Sequence, residues 1–281
     1  MWNVTRPEFS AKETYEICIS KVKNRDLKKR LNVVSSSIVE AAKDYAERAE
    51  NAELHLVSQS DGVVGLVTTK EMVAVYDGRM AVQRGPGRSI YDKLKALPEL
   101  GVCPFCDHGP VSTLDHILPK SLYPVLAVTP DNLVGSCKDC NTAKLTAVPT
   151  CERDATLHPY FDDISAERWL GASVVEKNVP AVTFHSIPVD SWPDALNARI
   201  RKQFRVLGLG LLYASQAARE ISGQREDLIR IFDARGADGV REELEHKAET
   251  WRAYRLNCWQ AATYRALSES PWYCGGGFQR R

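Results

Sequence analysis

The sequence lacks any apolar run that approaches the roughly 20 residues needed to cross a membrane as a helix, so no membrane segment is expected. Its first residues do not combine a basic stretch with an apolar core, so no export signal is predicted and a cytoplasmic location is expected. Internal repeats and low-complexity tracts are also absent from the sequence. These absences argue against a membrane protein and against a repeat architecture.

A surplus of charge of either sign is lacking as well. Lys and Arg together number 37 and Asp and Glu 36, which gives a formal net charge of +1. The net charge therefore gives no argument for nucleic-acid binding, although local clusters can still form a basic surface. Hydrophobic residues make up 44% and charged residues 26%, as in ordinary globular proteins. The 281 residues suffice for one large domain or two modest ones.

Cysteine, by contrast, is plentiful and unevenly placed. Four of the eight cysteines form two CxxC pairs, and the other four are scattered and expected to be mostly ordinary buried thiols. In a chain without an export signal, such pairs are more typical of metal ligands than of disulfides. A redox dithiol is the alternative, but one pair would suffice for it. The sequence predicts one structural Zn²⁺ held by four thiolates, those of Cys103, Cys106, Cys137 and Cys140.

An acidic residue and a histidine, Asp115 and His116, lie between the two cysteine pairs. Residues 113–117 are predicted to form a strand that Pro119 ends. Because neighbouring strand residues point to opposite faces, the two side chains would diverge unless the strand ends or bulges there. A hard oxygen ligand and a base that titrates near neutral pH are what a metal-dependent phosphodiesterase needs.

Two asparagines complete the motif. Asn132 begins an apolar segment that is predicted to be a second strand, and Asn141 follows the second cysteine pair at the start of a predicted helix running to about Val148. Strand, loop, strand and helix is the order of a ββα arrangement. The second cysteine pair would form its strand-to-helix turn.

The order of these motifs resembles the signature of the HNH, or ββα-metal, endonucleases. The matching elements are a DHIxP string at 115–119, the central Asn132 and a CNxxK string at 140–144. The resemblance implies that His116 is the general base that deprotonates the attacking water. It implies that Asp115 and Asn141 ligate one catalytic divalent ion, Mg²⁺ or Mn²⁺, and that Asn132 holds the region of His116 in place. Many relatives have His or Asp where this chain has Asn141.

Two lysines and one histidine are further candidates. The resemblance implies that Lys144 lies near a phosphate, and Lys120 is a second candidate for substrate binding. His158 follows the motif closely and could contribute to the metal site or bind phosphate. The alternative for His158 is a structural histidine before a prolyl turn.

Helical patterns flank the cysteine motif. Apolar residues at helical spacing predict helices within 10–57, and one long helix at about 238–268, whereas the tail after Cys274 is expected to be flexible. The predicted fold class is α+β, with a zinc-stabilised ββα-metal HNH core between α-helical regions. The expected domains are a helical region with loops and short strands, the nuclease core and a mostly helical region, at 1–98, 99–165 and 166–281.

The function predicted on this basis is a metal-dependent endonuclease that hydrolyses phosphodiester bonds. DNA is favoured over RNA because the fold's users mostly cut DNA, although the residues do not exclude RNA. One alternative is a zinc ribbon without catalysis that binds nucleic acid or a protein, in which Asp115 and His116 only hydrogen-bond within a turn. Another is a toxin-like effector that a partner keeps silent.

The long helical flanks are similar to those of stand-alone HNH nucleases in bacterial antiphage systems, such as the Septu type. That similarity implies a partner ATPase that licenses cleavage. The residues themselves do not indicate such a partner. Nucleic acid is the expected partner, and no membrane is expected.

Overall fold

The structure, a computed structural model, describes residues 2–144 and 148–280. It divides into two compact units, Trp2–Asp163 and Ile164–Arg281. In the described residues, helices predominate and the strands form three separate antiparallel pairs. The predicted mixture of helices and small sheets is confirmed, whereas the three-part domain division stays a prediction. None of the helices described is both long and apolar enough to cross a bilayer.

The first unit begins with three helices, α1 (Ala11–Ile19), α2 (Arg25–Val33) and α3 (Ser35–Glu50). The side chain of Ser10 accepts a hydrogen bond from the backbone N–H of Glu13 and so caps α1. Tyr15 is fully buried and its hydroxyl donates to the carbonyl of Leu31 over 2.8 Å, which ties α1 to α2. The helical prediction for 10–57 is correct in type, but the first part of this region forms two helices, α1 and α2, before α3.

A short hairpin and an unusual helix follow. They comprise β1 (Gly62–Val63), β2 (Val67–Thr68), α4 (Thr69–Val75), a π-helical segment (Tyr76–Ala81) and α5 (Arg88–Ala96). Thr68 and Glu71 form a reciprocal capping box that fixes the start of α4. The wider π-helical turn is rare in proteins and is often found at functional sites. Here it brings the Tyr76 ring against His116.

The cysteine motif forms two strands and a helix, β3 (Thr113–His116), β4 (Leu133–Ser136) and α6 (Lys138–Lys144). The strands are antiparallel, with His116 opposite Leu133. A Cβ atom on Gly135 would lie 2.9 Å from the Pro98 side chain, so glycine permits the close approach of β4 to the end of α5. Asn132 ends a 3₁₀ turn before β4 instead of starting the strand. Part of the predicted extension of α6 falls on 145–147, outside the described residues, and Val148 is not helical.

The second unit combines one hairpin with five helices. The hairpin strands are β5 (Leu170–Val175) and β6 (Ala181–Ser186), and the helices are α7 (Asp194–Val206), α8 (Leu209–Gly223), α9 (Arg225–Tyr254), α10 (Trp259–Ser268) and α11 (Pro271–Cys274). Helix α10 packs against β5 and against α9, and α8 packs against β6. The hairpin is thus covered by helices within its own unit.

The prediction of one long helix at 238–268 is wrong. Helix α9 ends at Tyr254, Arg255 is extended, and Cys258 caps the separate helix α10. The break lets the buried Asn257 amide accept hydrogen bonds from the backbone N–H groups of Trp169 and Leu170, at 2.9 and 3.2 Å. These tertiary hydrogen bonds replace helical ones, which the apolar spacing does not reveal.

The prediction of a flexible tail is also wrong. Cys274 is fully buried and Phe278 is 2% exposed, and the chain forms a 3₁₀ turn at Gly277–Gln279. The Phe278 ring packs against the rings of Phe232 and Tyr273. Three consecutive glycines suggest flexibility, but one buried aromatic residue is enough to dock the segment.

Candidate metal centre and active-site cleft

The four cysteines of the two CxxC pairs meet at one point in the first unit. Cys103, Cys106, Cys137 and Cys140 are buried and are not joined by disulfides, and their Sγ atoms all lie within 4.8 Å of one another. Two of these atoms, Cys106 Sγ and Cys137 Sγ, are 3.8 Å apart. A sulfur tetrahedron with zinc–sulfur bonds of about 2.3 Å has edges of about 3.8 Å. The donor set and its spacing therefore fit Zn²⁺, and the four cysteines can bind it.

The backbone closes tightly around this cluster. Gly109 N–H donates to Cys106 Sγ over 3.3 Å, and Cys140 N–H donates to Cys137 Sγ over 3.4 Å. Such hydrogen bonds favour the thiolate form that a metal requires. A Cβ atom on Gly109 would lie 2.9 Å from Cys137 Cβ and 3.0 Å from its Sγ, so only glycine fits there.

Asp115 lies in β3 beside the end of α6. Its side chain is 5% exposed, and Lys144 Nζ lies 2.7 Å from Asp115 Oδ2. Burial raises the pKa of Asp115, and the charge and hydrogen bond of Lys144 partly offset that rise. The Lys144 ammonium also lies 4.6 Å from the centre of the Phe105 ring. The carboxylate therefore already has a cation beside it.

His116 is the last residue of β3, and its ring is held in one orientation. Its Nε2 lies 2.9 Å from the carbonyl oxygen of Ala127. Because a carbonyl only accepts hydrogen bonds, Nε2 carries the hydrogen in the neutral ring and Nδ1 keeps its lone pair. The pKa of His116 is lowered from 6.5 to about 4, chiefly because burial disfavours the imidazolium. The Tyr76 ring packs edge-on at 4.5 Å between centroids. His116 is thus neutral near pH 7 and can accept a proton at Nδ1.

Asn132 fastens the chain that follows His116. Its Oδ1 accepts from Leu118 N–H over 2.8 Å, and its Nδ2 donates to the carbonyls of Leu118 and Leu126 at 3.0 and 3.3 Å. The side chain is fully buried. Both ends of the amide are therefore satisfied, and one residue joins two points, Leu118 and Leu126, of the chain that follows His116.

One cleft of about 470 Å³ connects these features. Asp115, His116 and Asn141 all border it. The sequence leaves open whether the first two side chains diverge, and in the structure both residues border the same cleft at the end of β3. The cleft thus presents a carboxylate, a neutral imidazole and an amide together, which is a donor set for a hard divalent ion and a base.

Residues 103–146, which carry all these groups, match the model of the HNH endonuclease family. The chain contains an HNH endonuclease domain. It is also similar to protein ea31 of Escherichia phage lambda, with 27% identity over 231 residues that cover 77% of this chain and 77% of that protein. No solved structure matches the chain.

The two lysines proposed from the sequence have protein partners in and beside the HNH domain. Lys144 pairs with Asp115 as described. Lys120 borders the cleft, where its Nζ lies 2.7 Å from Asp77 Oδ1 and 4.3 Å from the Tyr76 ring centre. The Lys120 side chain is 27% exposed and so remains partly accessible from the cleft.

His158 lies outside the matched segment and is 1% exposed. Its Nε2 lies 3.0 Å from both the Tyr45 hydroxyl and the Asp131 carbonyl, and its Nδ1 accepts from Tyr160 N–H over 3.2 Å. Both ring nitrogens are thus engaged within the protein. This environment favours the structural alternative for His158 over metal or phosphate binding.

Tyr76, Asp77 and Tyr91 are among the residues that border the cleft and were not proposed from the sequence. Tyr76 and Asp77 belong to the π-helical segment, and Tyr91 belongs to α5. The segment 62–84 has no clear helical or strand period, so nothing in it indicates that Tyr76 and Asp77 meet the HNH domain. The residue spacing of a π-helical turn leaves no sequence pattern to detect.

Proposed function

We propose that this protein is a metal-dependent endonuclease that hydrolyses phosphodiester bonds in DNA. The observation that carries the proposal is the orientation of His116 within the HNH domain, with Nδ1 free of the proton and Asp115 and Asn141 at the same cleft. An inert zinc ribbon has no need for a neutral, oriented imidazole beside a buried carboxylate.

His116 acts as the general base. Its Nδ1 takes the proton of the attacking water, and the Ala127 carbonyl stabilises the resulting imidazolium through Nε2–H. Asn132 acts only through position, because it holds Leu118, close after His116 in the chain, and Leu126, next to the Ala127 carbonyl that binds the ring. The Tyr76 ring restricts the imidazole from its face.

Asp115 and Asn141 would hold the divalent ion, Mg²⁺ or Mn²⁺. Their carboxylate and amide oxygens are hard donors of the type these ions prefer. Such an ion supplies charge stabilisation for the phosphate and for the leaving oxygen. The Lys144 ammonium, 2.7 Å from Asp115, supports the view that this carboxylate accepts a cation. Once released from Asp115, Lys144 can contact a phosphate oxygen, and Lys120 can do the same from the cleft.

The experiment is a cleavage assay on supercoiled plasmid, single-stranded DNA and RNA with Mg²⁺ or Mn²⁺. We expect metal-dependent cutting of DNA, with a 10²- to 10⁴-fold lower rate for His116→Ala, as is typical for loss of a general base. The matched control is His108→Ala, which changes an exposed histidine just after the first CxxC pair. That variant should cut at the wild-type rate.

Two results would contradict the proposal. Unchanged cutting by His116→Ala would remove this histidine as the base. No cutting of any substrate by a folded, zinc-loaded protein would favour the non-catalytic zinc module. Preferential cutting of RNA would correct the substrate alone. The partner ATPase, the defence role and the cytoplasmic location stay predictions.

A further inference from the structure

The second unit contains a small cavity between the β5–β6 hairpin and α10, with a volume of about 200 Å³. The hairpin side contributes Gly171, Ser173 and His185, and α10 contributes Arg265. Arg168, just before β5, also borders it. The HNH chemistry uses none of these residues.

Small residues create this space. Helix α10 faces the cavity with Ala261, Ala262 and Ala266. Across the hairpin, Gly171 is paired with His185, and a Cβ atom on Gly171 would lie 2.6 Å from His185 Nε2. Because Gly171 has no side chain, the imidazole can lie over the strand at the cavity wall. The polar groups therefore surround an open volume.

The two arginines at the cavity have no carboxylate paired with them among the residues that the structure describes. Within the described parts of the chain, neither Arg168 nor Arg265 forms an ion pair with a carboxylate. The pKa of Arg265 is lowered, first by burial and then by the nearby charge of Arg168, with a further contribution from Arg252. Glu269 borders the cavity and opposes this effect, but it does not pair with either guanidinium.

Two adjacent guanidinium groups without a counter-ion repel each other, and an anion would relieve that repulsion. Arginine presents its N–H groups in a planar fork that matches phosphate oxygens. Ser173 and His185 add a hydroxyl and a ring N–H at the same cavity. The cavity is smaller than the roughly 300 Å³ at which sites for whole small molecules begin. It therefore suits a single phosphate group.

The balance of charge distinguishes between sources of phosphate. Two guanidinium groups and one carboxylate leave one net positive charge at the cavity. A backbone phosphodiester carries one negative charge, whereas a phosphate monoester carries about −1.5 to −2 near neutral pH. The charge at the cavity thus matches a phosphate within a nucleic-acid chain better than a free one.

We propose that this cavity binds one backbone phosphate of a nucleic acid, through Arg168 and Arg265. The identity of the ligand rests on the proposed function, but the binding step requires no cleavage. The site would give the second unit a direct part in holding substrate.

The test measures binding without catalysis. A fluorescein-labelled DNA duplex is titrated by fluorescence anisotropy with protein in the His116→Ala background, without added Mg²⁺ or Mn²⁺, over a range of salt concentrations. We expect Arg265→Met and Arg168→Met each to raise Kd roughly threefold to tenfold and to reduce the salt slope by about one. Glu269→Gln should lower Kd, because it removes the opposing carboxylate.

The matched control is Arg230→Met, which removes an exposed arginine of the same unit that pairs with Asp227. It changes the net charge equally but lies outside the cavity lining. If Arg168→Met and Arg265→Met bind DNA as Arg230→Met does, the proposal is overturned. Arg168 is exposed, so its variant keeps the test valid even if replacing the half-buried Arg265 disturbs α10.

A calorimetric titration with inorganic phosphate tests the alternative ligand, which is free phosphate. Arg265-dependent binding of inorganic phosphate, without any effect of the arginine variants on DNA, would overturn the assignment to nucleic acid. The wild-type protein could cut no substrate and still bind DNA through the two arginines. That result would support the phosphate site and contradict the proposed nuclease function. The two proposals can therefore fail separately.

Discussion

The cysteine cluster and the Asp115 cleft are both suited to a cation, but their charges are balanced differently. The cluster offers four sulfur donors that a metal ion can neutralise. The cleft has a single buried carboxylate, which Lys144 already neutralises from within the chain. We therefore expect the cluster to require its ion for folding and the cleft to keep its structure without one. Under the proposed function, the difference would separate a metal that stabilises the domain from a metal that takes part in its chemistry.

The strongest test of this comparison removes one thiolate. Cys140→Ser should lose zinc and unfold the HNH domain, because structural zinc sites contribute on the order of 10 kcal/mol to folding. Zinc content by metal analysis and helicity by circular dichroism measure both effects. Cys151→Ser is the control, since Cys151 is exposed and outside the cluster. A folded, zinc-free Cys140→Ser protein would show that the fold does not depend on the cluster.

The second test removes the cation that pairs with Asp115. Lys144→Met should lower the free energy of unfolding by about 3 kcal/mol, because it leaves Asp115 buried and unpaired. Adding Mn²⁺ should raise the melting temperature of this variant more than that of the wild type, since the ion supplies the missing charge. Urea titrations and thermal melts measure these effects.

Two further variants control for this test. Lys138→Met alters an exposed lysine of the same helix and should leave stability unchanged. The double variant Asp115→Asn with Lys144→Met removes both charges and should recover most of the lost stability. Equal effects of Mn²⁺ on wild type and Lys144→Met would indicate that the ion does not bind at Asp115.

A smaller effect is expected at the residue that supports the cleft. Asn132→Ala should cost about 1 to 3 kcal/mol, because it leaves buried backbone groups of Leu118 unpaired. It should also lower kcat while zinc stays bound. Asn132→Asp should be worse, since its second oxygen would face the carbonyls of Leu118 and Leu126. Asn51→Ala, at an exposed helix end, is the control. Unchanged kcat in a stable Asn132→Ala protein would contradict the positioning role.

The smallest effect concerns the exposed pair at the cleft. Asp77→Asn should change stability by less than about 1 kcal/mol, because such surface pairs contribute little. It should strengthen DNA binding a few-fold by releasing Lys120, and Lys120→Met should weaken it. Asp92→Asn, which releases Arg88 outside the cleft, is the control for net charge. Equal binding by Asp77→Asn and Asp92→Asn would mean that Lys120 does not contact DNA.

The two cation sites were predictable from the sequence to different extents. The cysteine cluster follows from two CxxC pairs, because a turn of that length places both sulfurs on one side. The Asp115–His116 pair was also visible, and its place at a strand end agrees with the following Pro119. The pairing of Lys144 with Asp115 could not be predicted from the sequence, since it depends on how α6 packs against β3. Contacts between residues far apart in sequence leave no local pattern.

Other features were hidden for related reasons. Tyr76 lies in a π-helical turn whose period matches neither a helix nor a strand, so its contact with His116 could not be inferred. The break between α9 and α10 depends on Asn257, whose amide binds the backbone before and within β5. An apolar stripe continues across that break and so predicts one helix instead of two. Tertiary hydrogen bonds decided these cases.

Phe105 joins the metal centre to the cleft. It lies between Cys103 and Cys106, and its ring contacts the Lys144 ammonium that pairs with Asp115. We expect this contact to couple occupancy of the cysteine cluster to the charge state of the cleft, and such a coupling is reciprocal. Because the cluster is expected to need zinc for folding, a shortage of zinc would remove the site of the second ion together with the structure of the domain.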